Sequence, residues 1–342
     1  MPHIDINKKR NDPNARVPLS LAWKEEIMHL NKDELIIPLG RDKSQKLHFI
    51  NLKEWLHILS AGMALSGVGM FSRVTLFSLI KQRSHQDLRI ILIDPIRRFS
   101  NFNNISHLLF PIIHKAKKAL SALEWCVFEI ERRYQILFKT RKKDIYSYNE
   151  KGNQVVFPNI VIFISELGEL MPDRDIETAL VRIAQMAKAV GIHLIIGTQM
   201  LNKEIITDLI FSNISVRVGF QVPSEEEAEV LEISGMETLI GQGDMIYQDY
   251  NGKRLELQGF HISDEEIEEF IKNEITDDRV NEEWLYKKAK KIILDQKQAS
   301  ATLLQRRLSI GYAKASRIID KMEEEGLVSP QNGPKPRKIL KQ

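Results

Sequence analysis

One cysteine in 342 residues, Cys126, is too few for an internal disulfide or for a zinc site built from several cysteines. That usage fits a reducing cytoplasm. No apolar run approaches the roughly 18 residues of a membrane-spanning helix. The first residues, MPHIDINKKRNDPNAR, lack the apolar core of a signal peptide. A large excess of charge is also missing, since the formal net charge is +3. Internal repeats are absent, and the only low-complexity tract is an acidic one. What is present is ordinary for a globular chain: 43% hydrophobic and 28% charged residues, which excludes disorder over most of the length. At about 150 residues per domain, the chain has room for two or three domains.

The near-neutral total hides a division. Residues 263–283 hold ten Asp or Glu against Lys272 and Arg279, and read as a solvated helix plus linker. Residues 284–342 hold fourteen Lys or Arg against five Asp or Glu. A basic end of that size suits phosphate contact, with protein contact as the alternative. Lys8, Lys9, Arg10 and Arg16, with Pro2 and Pro13, mark a flexible basic arm.

Residues 35–39 read as a strand, Gly40-Arg41-Asp42 as a turn, and 46–52 as a second strand. Apolar runs then recur at 55–60, 90–93, 160–164, 194–196 and 216–222. Short Ile- and Val-rich runs suit buried strands of a parallel sheet. Between them, residues 114–138 carry Ala119, Leu123, Val127, Ile130 and Tyr134 at helical spacing, and 176–190 carry Leu180, Ile183 and Ala187 on one face. Strand–helix alternation predicts an α/β fold with a mainly parallel sheet.

Residues 58–80 place a glycine-containing turn between a strand and an apolar helix, the setting of a phosphate-binding loop. Against the pattern G-x-x-x-x-G-K-[ST], Gly62 and Gly67 stand at the right spacing, but Val68 holds the lysine position and Gly69 the hydroxyl position. Valine cannot neutralise phosphate charge, and glycine has no side chain to ligate Mg²⁺. A glycine turn without a nucleotide is the alternative reading of this segment. The apolar strand 160–164 ends in Ser165-Glu166, where a Walker B strand would end in two acids. Gly197-Thr198-Gln199 puts a polar pair at the end of another strand, where parallel sheets bind ligands.

Three helices are expected at 284–295, 300–308 and 312–325. The last two, joined through Ser309-Ile310-Gly311, have the helix-turn-helix pattern. Ala315, Ile318, Ile319 and Met322 would face a small core, leaving Lys314, Arg317 and Lys321 on other faces. Residues 326–330 and 337–340 would form two strands of a wing, with Gly333-Pro334 at its tip.

Together these segments resemble the FtsK/SpoIIIE family of double-stranded DNA translocases. The blocks that carry the resemblance run in collinear order: PLGRD (38–42), HILSAG (57–62), IILIDP (90–95), ALEWCVFEIERRY (122–134), RIAQMAKAVGIHLIIGTQ (182–199), GQGDMIY (241–247) and IGYAKASRIIDKMEEEGLVSP (310–330). The resemblance implies a RecA-like P-loop NTPase fold with a small C-terminal winged-helix domain. It divides the chain into an arm and small mixed segment (1–45), a motor domain (46–262), an acidic linker (263–283) and a DNA-binding domain (284–342). It implies a cytoplasmic motor portion without the family's membrane-spanning segment, acting on double-stranded DNA in chromosome segregation and cell division. The chain would assemble as a ring, a hexamer, or join a mixed assembly with an active homologue.

The same resemblance implies ATP with Mg²⁺ as cofactor, bound weakly or lost. The family's phosphate turn reads G-T-T-G-S-G-K-S and its acids D-E, so Val68, Gly69 and Ser165 depart where phosphate and metal are held. The implied nucleotide-binding positions are Gly62, Ser66, Gly67, Val68, Gly69 and Thr198. The implied catalytic positions, in vestigial form, are Glu166 for water activation, Gln199 for sensing and Arg182 for a neighbouring subunit, while Lys188 replaces an arginine. No residue is assigned to a metal. An active translocase would need a displaced cation, for which Lys81 and Arg73 are nearest in sequence. A protein-binding scaffold is a further alternative. For DNA the implied set is Arg306, Arg307, Tyr312, Lys314, Arg317 and Lys321. The family's recognition helix begins I-G-Y-N-R-A-A-R, so Ala313 and Lys314 remove an amide and a bidentate guanine reader. Cys126 lies within the WCVFEIERRY segment, where a buried structural role is expected.

Overall fold

The five apolar runs fold as neighbouring parallel strands, because segments buried on both faces must be apolar throughout. In the computed structural model the described residues are 17–25, 34–150, 156–214, 216–296, 298–308, 312–330 and 337–340. The basic arm and Gly333-Pro334 lie outside them. The strands are β1 (Val17–Pro18), β2 (Ile36–Arg41), β3 (Leu47–Asn51), β4 (His57–Ala61), β5 (Leu88–Ile93), β6 (Asn159–Ile164), β7 (Ile192–Thr198), β8 (Val216–Phe220), β9 (Asp244–Gln248) and β10 (Arg254–His261). The helices are α1 (Leu19–Glu25), α2 (Leu52–Trp55), α3 (Val68–Gln82), α4 (Ala116–Thr140), α5 (Ile145–Asn149), α6 (Arg174–Met186), α7 (Asp208–Asn213), α8 (Glu225–Leu231), α9 (Asp264–Gln296), α10 (Ala301–Leu308) and α11 (Tyr312–Glu324).

The sheet runs β3-β2-β10-β9-β8-β4-β7-β6-β5, with β1 pairing β10. From β8 to β5 every pair is parallel. From β8 to β3 every pair is antiparallel, so the sheet is mixed and largely parallel. Side chains alternate across the sheet. Ile58 on β4 joins a core with α3 and the start of α9, while Leu59 joins a core with α4 and α6 on the opposite face. A third, separate core holds Ala289, Ile293, Leu304, Ala315, Ile318, Ile319, Met322 and Val328.

Several boundaries differ from the sequence reading. Gly40 and Arg41 belong to β2, and the turn follows at Asp42, whose carboxylate accepts hydrogen bonds from the Ser44 and Lys46 amides. Gly40 serves close strand approach instead: a Cβ there would lie 2.4 Å from the Gln258 carbonyl oxygen. The run at 55–60 begins as the helical turn α2, capped by Asn51, and β4 starts only at His57. The acidic segment is helical throughout, since α9 continues from Asp264 to Gln296 without a glycine or proline. Its acids lie toward the N-terminus and its lysines toward the C-terminus, as the helix dipole favours. No helix among the described residues is long and apolar enough to cross a membrane.

The start of α9 is pinned to the sheet's neighbour α3. Asp264 pairs with Arg73 and accepts from Asn101 Nδ2 at 3.3 Å. Phe270 meets Phe77 edge-on at 5.0 Å. Farther along, Ala289 and Ile293 of the same helix enter the third core.

Candidate nucleotide site and nucleic-acid interface

The register of the sheet gathers the motif residues. Ser60 and Ala61 of β4 pair with Gly197 and Thr198 of β7, and β7 lies between β4 and β6. On its other side β4 pairs with β8, so the turn after β4 meets the ends of both β7 and β8. The Gly62 amide donates to the Thr198 carbonyl at 3.3 Å, and Met63 N donates to the Gln221 carbonyl at 2.8 Å. Ser66 Oγ donates to the Met63 carbonyl at 2.6 Å, and the Ser66 carbonyl accepts from Gly243 N at 2.8 Å. The GQG turn at 241–243 thus braces the turn from outside. Gly67 has φ 140°, and a Cβ there would strike the Phe220 ring. Leu65 adopts φ 63° with a 97% exposed side chain, at the position where the family pattern has glycine.

Helix α3 opens directly from this turn, with no side chain capping its N-terminus. Its first amides lack intrahelical acceptors by construction. They face a cavity of about 630 Å³ lined by Gly67, Val68, Gly69, Arg98, Gln199 and Gln242, among others. Val68 is buried, its Cγ1 packed toward Gly197 on β7, and so presents no polar group to the cavity.

Glu166 is buried, and its carboxylate is held by its own chain. Oε1 accepts from Thr198 Oγ1 at 2.6 Å and from Gly168 N at 3.1 Å, and Oε2 accepts from Gln199 N at 2.9 Å. The three strand-end residues singled out in the sequence are therefore one hydrogen-bonded cluster. Ser165 Oγ is buried without a hydrogen-bond partner.

Sequence reasoning missed Arg98. It lies just beyond β5, in a loop that Asp94 fixes by accepting from the Arg98 and Phe99 amides, both at 2.8 Å. Its guanidinium crosses Gly69, where a Cβ would lie 2.7 Å from Nε, and Nη1 donates to the Ser165 carbonyl at 2.9 Å. Burial pulls its pKa down from the usual arginine range, opposed by the charges of Glu166 and Asp94. The available signal was position, because residues after the C-terminal ends of parallel strands border ligand sites. The two cations nearest in sequence are engaged elsewhere. Arg73 borders the cavity but pairs with Asp264, and Lys81 lies 4.4 Å above the Trp23 ring. Arg182 does not line this cavity, and its Nη2 donates to Glu131 Oε1 at 2.5 Å. Lys188 is exposed in a 3-10 turn.

In the C-terminal core, Ala315, Ile318, Ile319 and Met322 of α11 are buried, as the helical spacing predicts. Arg307, Arg317 and Lys321 are exposed, and Lys321 Nζ lies 5.0 Å above the Tyr286 ring. The side chains of Arg306, Tyr312 and Lys314 lie outside the described residues. Val328 and Ile339 form an antiparallel bridge, and Leu340 N donates to the Leu327 carbonyl at 2.9 Å. Arg337 is pinned to Asp320 and Glu323 of α11.

Comparison with known proteins matches both regions. The FtsK/SpoIIIE family matches residues 19–203, and the Ftsk gamma domain matches residues 280–342. The DNA translocase FtsK of Clostridium tetani is 38% identical, over 92% of this chain and 46% of that protein. The DNA translocase SpoIIIE of Bacillus subtilis is 34% identical, over 96% of this chain and 46% of that protein. The chain thus spans about half the length of these curated relatives. Among solved structures, the pCW3 conjugation coupling protein TcpA with ATPγS superposes with TM-score 0.65 at 24% identity, covering 77% of this chain and 74% of that one. The cytoplasmic domain of the Thermomonospora curvata type VII secretion ATPase EccC gives TM-score 0.64 at 17% identity, over 76% of this chain and 34% of that one. These two structures share the fold.

Proposed function

Because the chain belongs to the FtsK/SpoIIIE family, we propose that it is a double-stranded DNA-binding module of the translocase type whose motor has lost most or all ATP turnover. The observation that carries this reading is the start of α3. The position that should offer a cation to the phosphates is a buried valine, and the next, which should offer a hydroxyl, is a glycine. Phosphoryl transfer relies almost entirely on positioning and on charge stabilisation of the transferred group. A site without the lysine, the hydroxyl and the first acid lacks much of that stabilisation. Glu166 keeps the place of the water-activating acid.

Mg²⁺ does not fit the residues present. Gly69 has no side-chain oxygen to offer, and the Arg98 guanidinium lies against both Gly69 and the end of β6. The nucleotide cradle is retained in its backbone turn and in the Glu166–Thr198–Gln199 cluster.

DNA contact is assigned to α10 and α11 through Arg307, Arg317 and Lys321, with Arg306, Tyr312 and Lys314 in the same segment. Ala313 and Lys314 replace an amide and an arginine of the family pattern, which favours backbone contact over base reading. A ring, or a mixed assembly with active homologues, would let such a subunit grip DNA during chromosome segregation and cell division. The test is ATP hydrolysis with and without duplex DNA. The expected rate stays at background in both. DNA-stimulated hydrolysis abolished by Glu166→Gln would sink the reading in favour of an active translocase. Failure to shift duplex DNA would favour a protein-binding scaffold.

A further inference from the structure

In a P-loop site that uses a metal, the ion is held between the hydroxyl that follows the P-loop lysine and the acid at the end of the Walker B strand. In this chain those positions are Gly69 and Ser165, and one side chain reaches both. The Arg98 guanidinium lies so close over Gly69 that a Cβ would meet Nε at 2.7 Å, Cδ at 3.0 Å and Cζ at 3.1 Å. The same group donates from Nη1 to the Ser165 carbonyl at 2.9 Å. It is not a surface arginine that has strayed inward. Asp94, fully buried, fixes the loop that carries it by accepting from two consecutive amides. Two carboxylates, Glu166 and Asp94, are close enough to act on its charge. The guanidinium borders the same cavity as the start of α3.

The losses at Gly69 and Ser165 thus coincide with a gain. A side chain at 69 would displace Arg98, whose guanidinium fills the place of its Cβ. With glycine at 69, and with the other lining arginine, Arg73, paired with Asp264, the Arg98 guanidinium borders the cavity. Its volume is within the range of small-ligand pockets.

We infer that Arg98 is the resident cation of this site in place of a divalent metal, and that the site holds the phosphate chain of a nucleoside triphosphate without Mg²⁺. This rests on the reading above of a retained nucleotide cradle without turnover. A guanidinium is permanently charged and presents several donors, so it can neutralise and orient phosphate oxygens. It offers no exchangeable coordination positions and no activated water, so binding persists where hydrolysis does not.

The experiment is calorimetric titration of the full chain with ATPγS, once in excess Mg²⁺ and once in EDTA. Equal affinity in the two buffers is expected, within about twofold. In EDTA, Arg98→Ala should weaken binding by about ten- to a hundredfold, the range for losing a charge-assisted contact. Arg98→Lys should recover part of it. Binding that needs Mg²⁺, no binding in either buffer, or an Arg98→Ala chain as tight as the original would each overturn the inference. The Mg²⁺/EDTA comparison requires no variant, so it stands if Arg98→Ala fails to fold. DNA-stimulated hydrolysis would instead refute the loss of turnover and is read separately.

Discussion

His57 on β4 and His193 on β7 are buried neighbours, with the Leu194 amide donating to His57 Nδ1 at 3.0 Å. Burial lowers the His57 pKa from 6.5 to about 4, and burial, then the neighbouring charge of His57, lowers that of His193 to about 3. In the unfolded chain both take up protons from about pH 6.5 downward. The folded chain does so only near pH 4 and 3, so the unfolded state binds more protons in between. Stability present at pH 7 is therefore lost as pH falls from 6.5, and the loss levels off once the folded groups protonate. At pH 5 the cost is about 2 kcal/mol per histidine. Urea unfolding at pH 7 and pH 5 measures it, and a midpoint that stays constant contradicts it. At this scale the sequence disclosed what local spacing fixes: Val68, Gly69, Ser165 and Glu166 were found by counting from glycines and strand ends. Arg98 was not, because its contact with Gly69 and Ser165 depends on which strands are neighbours in the sheet.

Helix α4 is held to the sheet by its apolar stripe and by one buried arginine. Arg133 is buried, with Nε donating to Glu129 Oε1 at 2.8 Å and Nη1 to the carbonyls of Pro158 at 2.9 Å and Val190 at 2.7 Å. One guanidinium thereby joins α4 to the segment before β6 and the turn before β7. Arg133→Ala would leave the Pro158 and Val190 carbonyls short of a donor, while Glu129 keeps its paired contact with Arg132 at 2.6 and 2.8 Å, and should cost about 2–4 kcal/mol in denaturant unfolding. A cost below about 1 kcal/mol would show that water or Arg132 replaces the contact. Helical spacing correctly put Ala119, Leu123 and Ile130 on the buried face. It also put Tyr134 there, yet the neighbouring arginine takes that place and Tyr134 is 37% exposed. The parallel strands were legible because burial on both faces makes them continuously apolar. Strands β9 and β10 were not, and β10 in particular has half-exposed positions that interrupt the apolar pattern.

For the whole molecule, the small net charge conceals a separable basic end, and salt is the means to expose it. Each phosphate contact lowers log K by about 0.9 per decade of salt on duplex DNA. Replacing Arg307 and Arg317 by alanine should flatten that slope by nearly two contacts and weaken binding alike on unrelated sequences. A slope that does not change would remove both residues from the interface. Between the sheet domain and the basic end the backbone is one continuous helix, because α9 begins against α3 and ends inside the third core. That continuity limits how the chain can change in length. Deleting one residue from the middle of α9 would draw its two ends about 1.5 Å closer and rotate one against the other by about 100°. Losing seven residues, two turns, would nearly restore the phase, with a drift of about 20°. A loop absorbs insertions one at a time, whereas along this helix each added residue turns the third core relative to the sheet.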